Sequence, residues 1–301
     1  MAQHYLTAHM LDILLLHMMP YLDILSMKQL SLVCWSFSEL IDHYMKTMLK
    51  YIIIPEEIKG KFTEKHLICL GAKTTNLVYL DLNGMYDSVT DKSLHVFLYR
   101  NHNLKLLNIT RCTRVTQKAF SMEQYLDTND FSVCRTLSKL EVLIANWCRN
   151  LGQSFLVSVS HAPLKVLSIA GTWNTDDTTI ADCSVFFKDL KCLNVNKCYK
   201  ITDCSIKKLS HCRNLRILKI SGCWKINDDS VGHIIDECKG IQKIAMFDCK
   251  KISRKFMGKL SESGVLLLEG MGAEVEKKWD QSSSYLQMAR DGITFFNLLK
   301  Y

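Results

Sequence analysis

The pattern L-x-x-L-x-L-x-x-C-x-x-I-T-D at 190–203 recurs along most of this chain. Leu215, Leu218, Ile220, Cys223, Ile226, Asn227 and Asp228 repeat it, and so do Ile241, Ile244, Met246, Cys249, Ile252 and Ser253. A fixed-period repeat constrains the fold strongly, because each copy is one supersecondary unit that buries its apolar face only by stacking on its neighbours. The first position falls at Leu77, Leu104, Leu140, Leu164, Leu190, Leu215 and Ile241, at intervals of 27, 36, 24, 26, 25 and 26 residues. The ninth position holds Met85, Cys112, Cys148, Thr172, Cys198, Cys223 and Cys249. In L-x-L the apolar residues are two apart and share one face of a short strand. That face is predicted to enter the core, while the intervening residues, such as Asp81, Asn108, Asn194 and Lys219, face the concave side. A small apolar cysteine suits the turn that leaves the strand. Thr90, Thr116, Asp176, Thr202 and Asn227 then read as helix N-caps. Each is followed four residues later by an apolar anchor: Leu94, Phe120, Ile180, Ile206 and Val231.

These residues and spacings resemble the cysteine-containing class of leucine-rich repeats. The resemblance implies an α/β solenoid, curved, with short parallel strands inside and helices outside. The repeats are expected over 77–270. Residues 47–76 read as a degenerate opening repeat, with a first strand at Tyr51-Ile-Ile-Ile54 and a capped helix after Thr63. The long interval between Leu104 and Leu140 places a surplus at 122–133, expected to extend the convex side. Val265-Leu-Leu-Leu268 reads as a last strand. In 271–301, Tyr285, Met288, Ala289, Ile293, Phe296 and Leu299 recur at three- or four-residue steps, as on one face of a helix. That segment reads as a cap over the last repeat or as a tail contributing to a partner site.

The chain has 13 cysteines and a net charge of +8. Five cysteines occupy the repeat position and no C-x-x-C pair occurs, so neither a disulfide framework nor a zinc site is expected. The apolar run at 11–19 lacks a basic start and a small-residue cleavage site. Reduced thiols fit a cytoplasmic or nuclear protein. The longest apolar runs fall well short of the roughly 20 residues that span a bilayer. Charge is uneven: 188–259 carries 17 Lys or Arg against 7 Asp or Glu. A basic C-terminal half favours an acidic or phosphorylated partner, and a solvated convex face is the alternative reading.

Residues 9–45 break the repeat and read as three short helices. The first is expected over about 10–21. The second starts at Ser26, where Ser26-x-x-Gln29 forms a capping box, and the third at Ser36 with Ser36-x-x-Glu39. Tyr21-Leu22 and Leu30-Ser31-Leu32-Val33-Cys34, at this spacing, are similar to the Y-L and L-S-L-V-C of an F-box. Phe37 stands where that family usually has tryptophan, Met10-Leu11 replaces its Leu-Pro, and Met18-Met19 replaces its Ile-Phe. An F-box (1–46) followed by cysteine-type repeats is the layout of substrate receptors of SCF ubiquitin ligases. The resemblance implies a non-catalytic receptor subunit. Its F-box would bind a Skp-type adaptor, and through it a cullin scaffold, while its repeats hold a protein substrate. It carries the adaptor-facing role to Leu14, Leu15, Met18, Leu22, Ile24, Met27, Leu30, Leu32, Val33, Cys34 and Phe37. A helical cap shielding the first repeat is the other reading of the same stretch.

The repeats point to one further surface. The residue after the ninth position is Arg149, Trp173, Tyr199, Trp224 or Lys250 in successive repeats, and the next is Asn150, Asn174, Lys200, Lys225 or Lys251. Stacking aligns these into columns, so Trp173, Tyr199, Lys200, Trp224, Lys225 and Lys251 are candidate substrate-binding residues: aromatic and cationic side chains are what interface hot spots use. Packing over the neighbouring turn is their bland reading. Gly-rich phosphate loops, H-E-x-x-H and G-x-S-x-G do not occur, so no enzyme, metal or cofactor is expected. RNA binding by the basic aromatic rim would leave the N-terminal stretch unexplained.

Overall fold

The computed structural model describes residues 24–33, 35–54, 56–121, 137–152, 154–262 and 264–267. Each repeat forms a three-residue strand at the second apolar position, because only there do alternating side chains find apolar partners on one face. The strands are β1 Tyr51–Ile53, β2 Tyr79–Asp81, β3 Leu106–Asn108, β4 Val142–Ile144, β5 Val166–Ser168, β6 Cys192–Asn194, β7 Ile217–Lys219, β8 Lys243–Ala245 and the shorter β9 Leu266–Leu267. They pair in parallel, each with the next in sequence, in one nine-stranded sheet. The register keeps like on like, with Leu80 opposite Leu107, Leu107 opposite Leu143, and Leu193 opposite Leu218. This is a leucine-rich-repeat solenoid.

Helices α1 Ile24–Ser31 and α2 Trp35–Thr47 precede the sheet. The outer layer is formed by α3 Glu56–Lys59, α4 Glu64–Lys73, α5 Asp91–Arg100, α6 Phe155–Ser158, α7 Asp177–Phe186, α8 Asp203–Lys208, α9 Asp228–Glu237 and α10 Arg254–Glu262. A 3-10 turn, Gln117–Phe120, follows the cap Thr116. The expected caps are in place: Thr90, Asp176 and Asn227 each accept a bond from the third amide of their helix, and Thr202 accepts from the second. Their anchors Leu94, Ile180, Ile206 and Val231 are fully buried, because the fourth residue after a cap points back under its own helix. Thr63 heads α4 in a capping box closed by His66, so the opening repeat at Tyr51 is built like the others. Helix α1 begins at Ile24, two residues before the expected Ser26 cap, and α2 at Trp35, one before Ser36. The expected first helix at 10–21, the surplus at 122–133 and the segment 271–301 lie outside the described residues.

Two devices bind repeat to repeat, and neither is visible in one copy. The cysteine column is the first. Cys112 donates its thiol to the carbonyl of Leu82 at 3.3 Å, Cys148 to Ile109 at 3.0 Å, Cys198 to Ile169 at 3.4 Å, Cys223 to Val195 at 3.3 Å and Cys249 to Ile220 at 3.1 Å. Each acceptor lies in the preceding repeat, at the last apolar residue of L-x-L. The second device is the acid that follows each cap, which receives the cap of the next repeat. Thr116 bonds Asp91, Thr202 bonds Asp177, Asn227 bonds Asp203 and Ser253 bonds Asp228, at 2.7, 2.7, 2.8 and 2.8 Å from the cap amide.

Candidate functional site

The rim is built by a turn that every repeat makes. The residue before the ninth position is left-handed in all seven: Gly84, Arg111, Trp147, Gly171, Lys197, Gly222 and Asp248 have φ between 56° and 75°. This bend directs the amide of Trp147 to the carbonyl of Ala170, and that of Lys197 to Ser221, both at 2.7 Å, so the ladder continues past the strands. The ninth residue then plunges into the core, and the next is thrown outward. Trp173, Tyr199 and Trp224 are 52%, 40% and 43% exposed, large values for aromatic rings.

Stacking makes one column of them with the cations at its ends. Tyr199 and Trp224 lie with centroids 4.7 Å apart and tilted by 36°. The Arg149 guanidinium sits 4.6 Å from the Trp173 ring, and the Lys250 ammonium 4.9 Å from the Trp224 ring. A cation over an aromatic face is attracted by the ring quadrupole, by about 0.5–1 kcal/mol at exposed sites. The structure assigns this contact to Arg149 and Lys250, which share the column of the aromatics. Lys200, Lys225 and Lys251, the cations singled out from sequence, are exposed beside the column. Arg149 and Lys250 stand in the same column as the rings in the sequence, and stacking shows that they cover them.

The concave face is knitted together from repeat to repeat. Its small polar residues bond one another. Asn146 accepts from the Ser168 hydroxyl at 2.7 Å and from the Ala170 amide at 2.9 Å, Asn194 donates to Ser168 at 2.9 Å, and Asn196 accepts from the Ser221 amide at 2.8 Å. Tyr79, Leu106, Val142, Ile144, Val166, Cys192 and Ile217 form a second apolar cluster there, and all are buried. Buried polar groups are satisfied by partners, and the partners here belong to adjacent repeats. Phe247 is exposed on this face, and the rim carries the column of exposed rings.

At the N-terminal end, α1 and α2 split their side chains between two directions. Met27 is 4% exposed and joins the main core with Ile41, Tyr44 and Met45, while Ile24 and Leu30 pack against that core. Leu32, Val33 and Trp35, in and beside the turn between the helices, are 78%, 66% and 71% exposed. Phe37 is half-buried. Of the expected adaptor-facing residues, Met27 is therefore internal, and Leu32 and Val33 face solvent together with Trp35, which was not singled out. Leu14, Leu15, Met18, Leu22 and Cys34 lie outside the described residues. Among the described residues no group of three His, Cys, Asp or Glu is placed to hold a metal ion.

No family model and no curated protein matches this chain. Among solved structures it is similar to Rad7, determined as a complex of Rad7 and Elc1 in yeast. The match has a TM-score of 0.55 and 17% sequence identity, and it covers 78% of this chain. It spans 64% of the Rad7 chain, so the likeness is one of fold over part of that protein.

Proposed function

We propose that this chain is the substrate-recognition subunit of an SCF-type ubiquitin ligase. Residues 1–46 act as an F-box that binds a Skp-type adaptor and, through it, a cullin scaffold. The repeats hold the protein to be ubiquitinated, and the rim column of Trp173, Tyr199 and Trp224, flanked by Lys200, Lys225 and Lys251, is the contact surface. The chain itself is non-catalytic and works in the cytoplasm or nucleus.

One observation carries the reading. Helices α1 and α2 bury Met27, Ile24 and Leu30 against the solenoid yet leave Leu32, Val33 and Trp35 in solvent. A cap that served only to close the core would turn its large apolar residues inward; three neighbouring ones facing out support a partner surface here. The L-S-L-V-C resemblance falls on that same turn. Rad7, whose fold this chain shares, was solved with a bound partner, which supports a receptor role for the architecture. Co-purification of the intact chain with a Skp-type adaptor tests the proposal. A plain leucine-rich scaffold is the second reading, and the burial of Met27 is compatible with it, since a simple cap would also be anchored in this way. Failure of a folded chain to bind the adaptor would select it.

A further inference from the structure

On the edge opposite the aromatic rim, where outer helices return to strands, a recess of about 620 Å³ opens between two repeats. Ser210, His211, Arg213 and Arg216 line one side, and Glu237, Lys239 and Gly240 the other. The first side comes from the 3-10 turn Leu209–His211 and the link to β7, the second from the end of α9 and the link to β8. The backbone beneath Arg216 is fixed on both sides: its amide donates to the Lys191 carbonyl at 2.8 Å, and its carbonyl accepts from the Gln242 amide at 2.8 Å.

Arg216 is placed there by a glycine. A β-carbon on Gly240 would lie 1.4 Å from Nη1 of Arg216 and 2.5 Å from its Cζ. The guanidinium therefore occupies the space a side chain at 240 would fill. Ion pairs among the described residues join Lys59 to Glu56, Lys73 to Asp42 and Lys165 to Glu141, and none engages Arg213, Arg216 or Lys239. Glu237 is the one acid in the lining. Three cations face one carboxylate, two of them guanidinium forks whose geometry matches the oxygens of a phosphoryl group.

We infer that this recess is a binding site for a phosphorylated segment of a partner protein. A lone phosphate would leave most of 620 Å³ empty, whereas a phosphorylated side chain with its flanking backbone fills a cleft of that size. A nucleic acid strand offers the same phosphate chemistry, but strand binding also uses aromatic platforms on which bases stack. The lining offers no Trp, Tyr or Phe, and the exposed aromatic column lies on the other edge. The assignment deepens the receptor reading and rests on it for its biological use. The anion chemistry stands apart from adaptor binding, so the two can fail separately.

The test is fluorescence anisotropy on the intact chain at fixed ionic strength. The probes are a labelled degenerate phosphoserine peptide pool, the same pool unphosphorylated, and a labelled 12-mer oligouridine. The expected result is at least tenfold tighter binding of the phosphorylated pool. That preference is lost in Arg213→Gln/Arg216→Gln. Gly240→Ala keeps every charge and displaces only the flexible end of Arg216; it weakens the phosphorylated pool at least threefold with an unchanged circular dichroism melt. Equal binding of the two peptide pools, or a preference that survives both variants, overturns the site. Tighter binding of oligouridine than of the phosphorylated pool, lost in the double variant, overturns the peptide assignment in favour of RNA. Adaptor binding by all three proteins shows that any loss belongs to the recess.

Discussion

Asp177 accepts two hydrogen bonds from Thr202, 25 residues further along the chain: the backbone amide reaches Oδ1 at 2.7 Å and the hydroxyl reaches Oδ2 at 2.6 Å. Thr202 meanwhile caps its own helix by accepting from the amide of Cys204. One threonine thus closes its helix and ties it to the previous one. Removing the acceptor leaves a half-buried hydroxyl and amide without their charged partner. Hydrogen bonds to charged groups contribute about 1.5–3 kcal/mol, so Asp177→Ala is expected to destabilise by that amount in urea denaturation. Asp228→Ala, which frees Ser253 near the end of the stack, is expected to cost less, because those bonds are exposed. Equal and negligible effects of both changes would contradict the ladder.

The cysteine column predicts an alkaline limit on stability. Burial pushes the Cys198 and Cys249 thiols up to about 11 and Cys148 up to about 12. An unfolded thiol titrates near 8.5. The folded values are raised, so the stability they contribute is fully present below about pH 8.5 and is lost as pH rises through the folded values. Unfolding free energy is expected to be flat from pH 7 to about 8.5 and to fall steadily toward pH 11. Cys148→Ser, which keeps a donor to Ile109, should cost less than Cys148→Ala. In the native chain at pH 7.5, Cys69 and Cys204 are the exposed thiols among the described cysteines and should react first with a thiol reagent. Rapid modification of Cys198 or Cys223 would contradict the packing.

Two glycines at the left-handed position separate backbone strain from crowding. At Gly171 φ is +67° and a β-carbon would meet the Trp147 ring at 2.4 Å; at Gly222 φ is +73° and the nearest atom is the flexible Lys197 Cγ at 3.1 Å. Left-handed backbone costs an L-residue about 1–2 kcal/mol, and overpacking adds about 1–3 kcal/mol. Gly222→Ala should therefore show the first cost alone and Gly171→Ala both. Thermal melts of the two variants check this, and equal losses would remove Trp147 from the account.

The rim column predicts loss of binding without loss of fold. Trp173→Ala/Trp224→Ala removes exposed rings and two cation–aromatic contacts, so stability should change by no more than about 2 kcal/mol. Proteins captured from extract by the adaptor-bound chain, quantified by mass spectrometry, should fall at least tenfold for those that use the rim, with adaptor recovery unchanged. An identical capture profile would take the rim out of substrate binding.

The strand, turn and cap positions were legible because one copy of the repeat specifies them: Leu107 and Ile109 two apart, Cys112 three later, Thr116 four later. What one copy cannot show is the partner one repeat away. Asp177 reads locally as a first-turn acid favoured by the helix dipole, and its bonds to Thr202 appear only on stacking. The cysteine reads as a small apolar residue, and its thiol finds Ile109 or Val195 only across the repeat boundary. The left-handed position holds Gly84, Gly171 and Gly222 but also Arg111, Trp147, Lys197 and Asp248, so glycine alone does not reveal it. On the concave side, Asn146, Ser168 and Asn194 are joined across three repeats, which no single copy shows. At the N-terminus, apolar spacing could not say which residues turn inward, because Met27 and Leu32 sit in one apolar stretch and take opposite sides.

The most direct measurement is the affinity of a Skp-type adaptor for the intact chain, by isothermal titration, beside that of Leu32→Asp/Val33→Asp. Both positions are exposed, so the variant should keep the circular dichroism spectrum and melt of the native solenoid. The account predicts tight one-to-one binding by the native chain and at least a hundredfold loss in the variant. A folded native chain that releases no heat and retains no adaptor would contradict it.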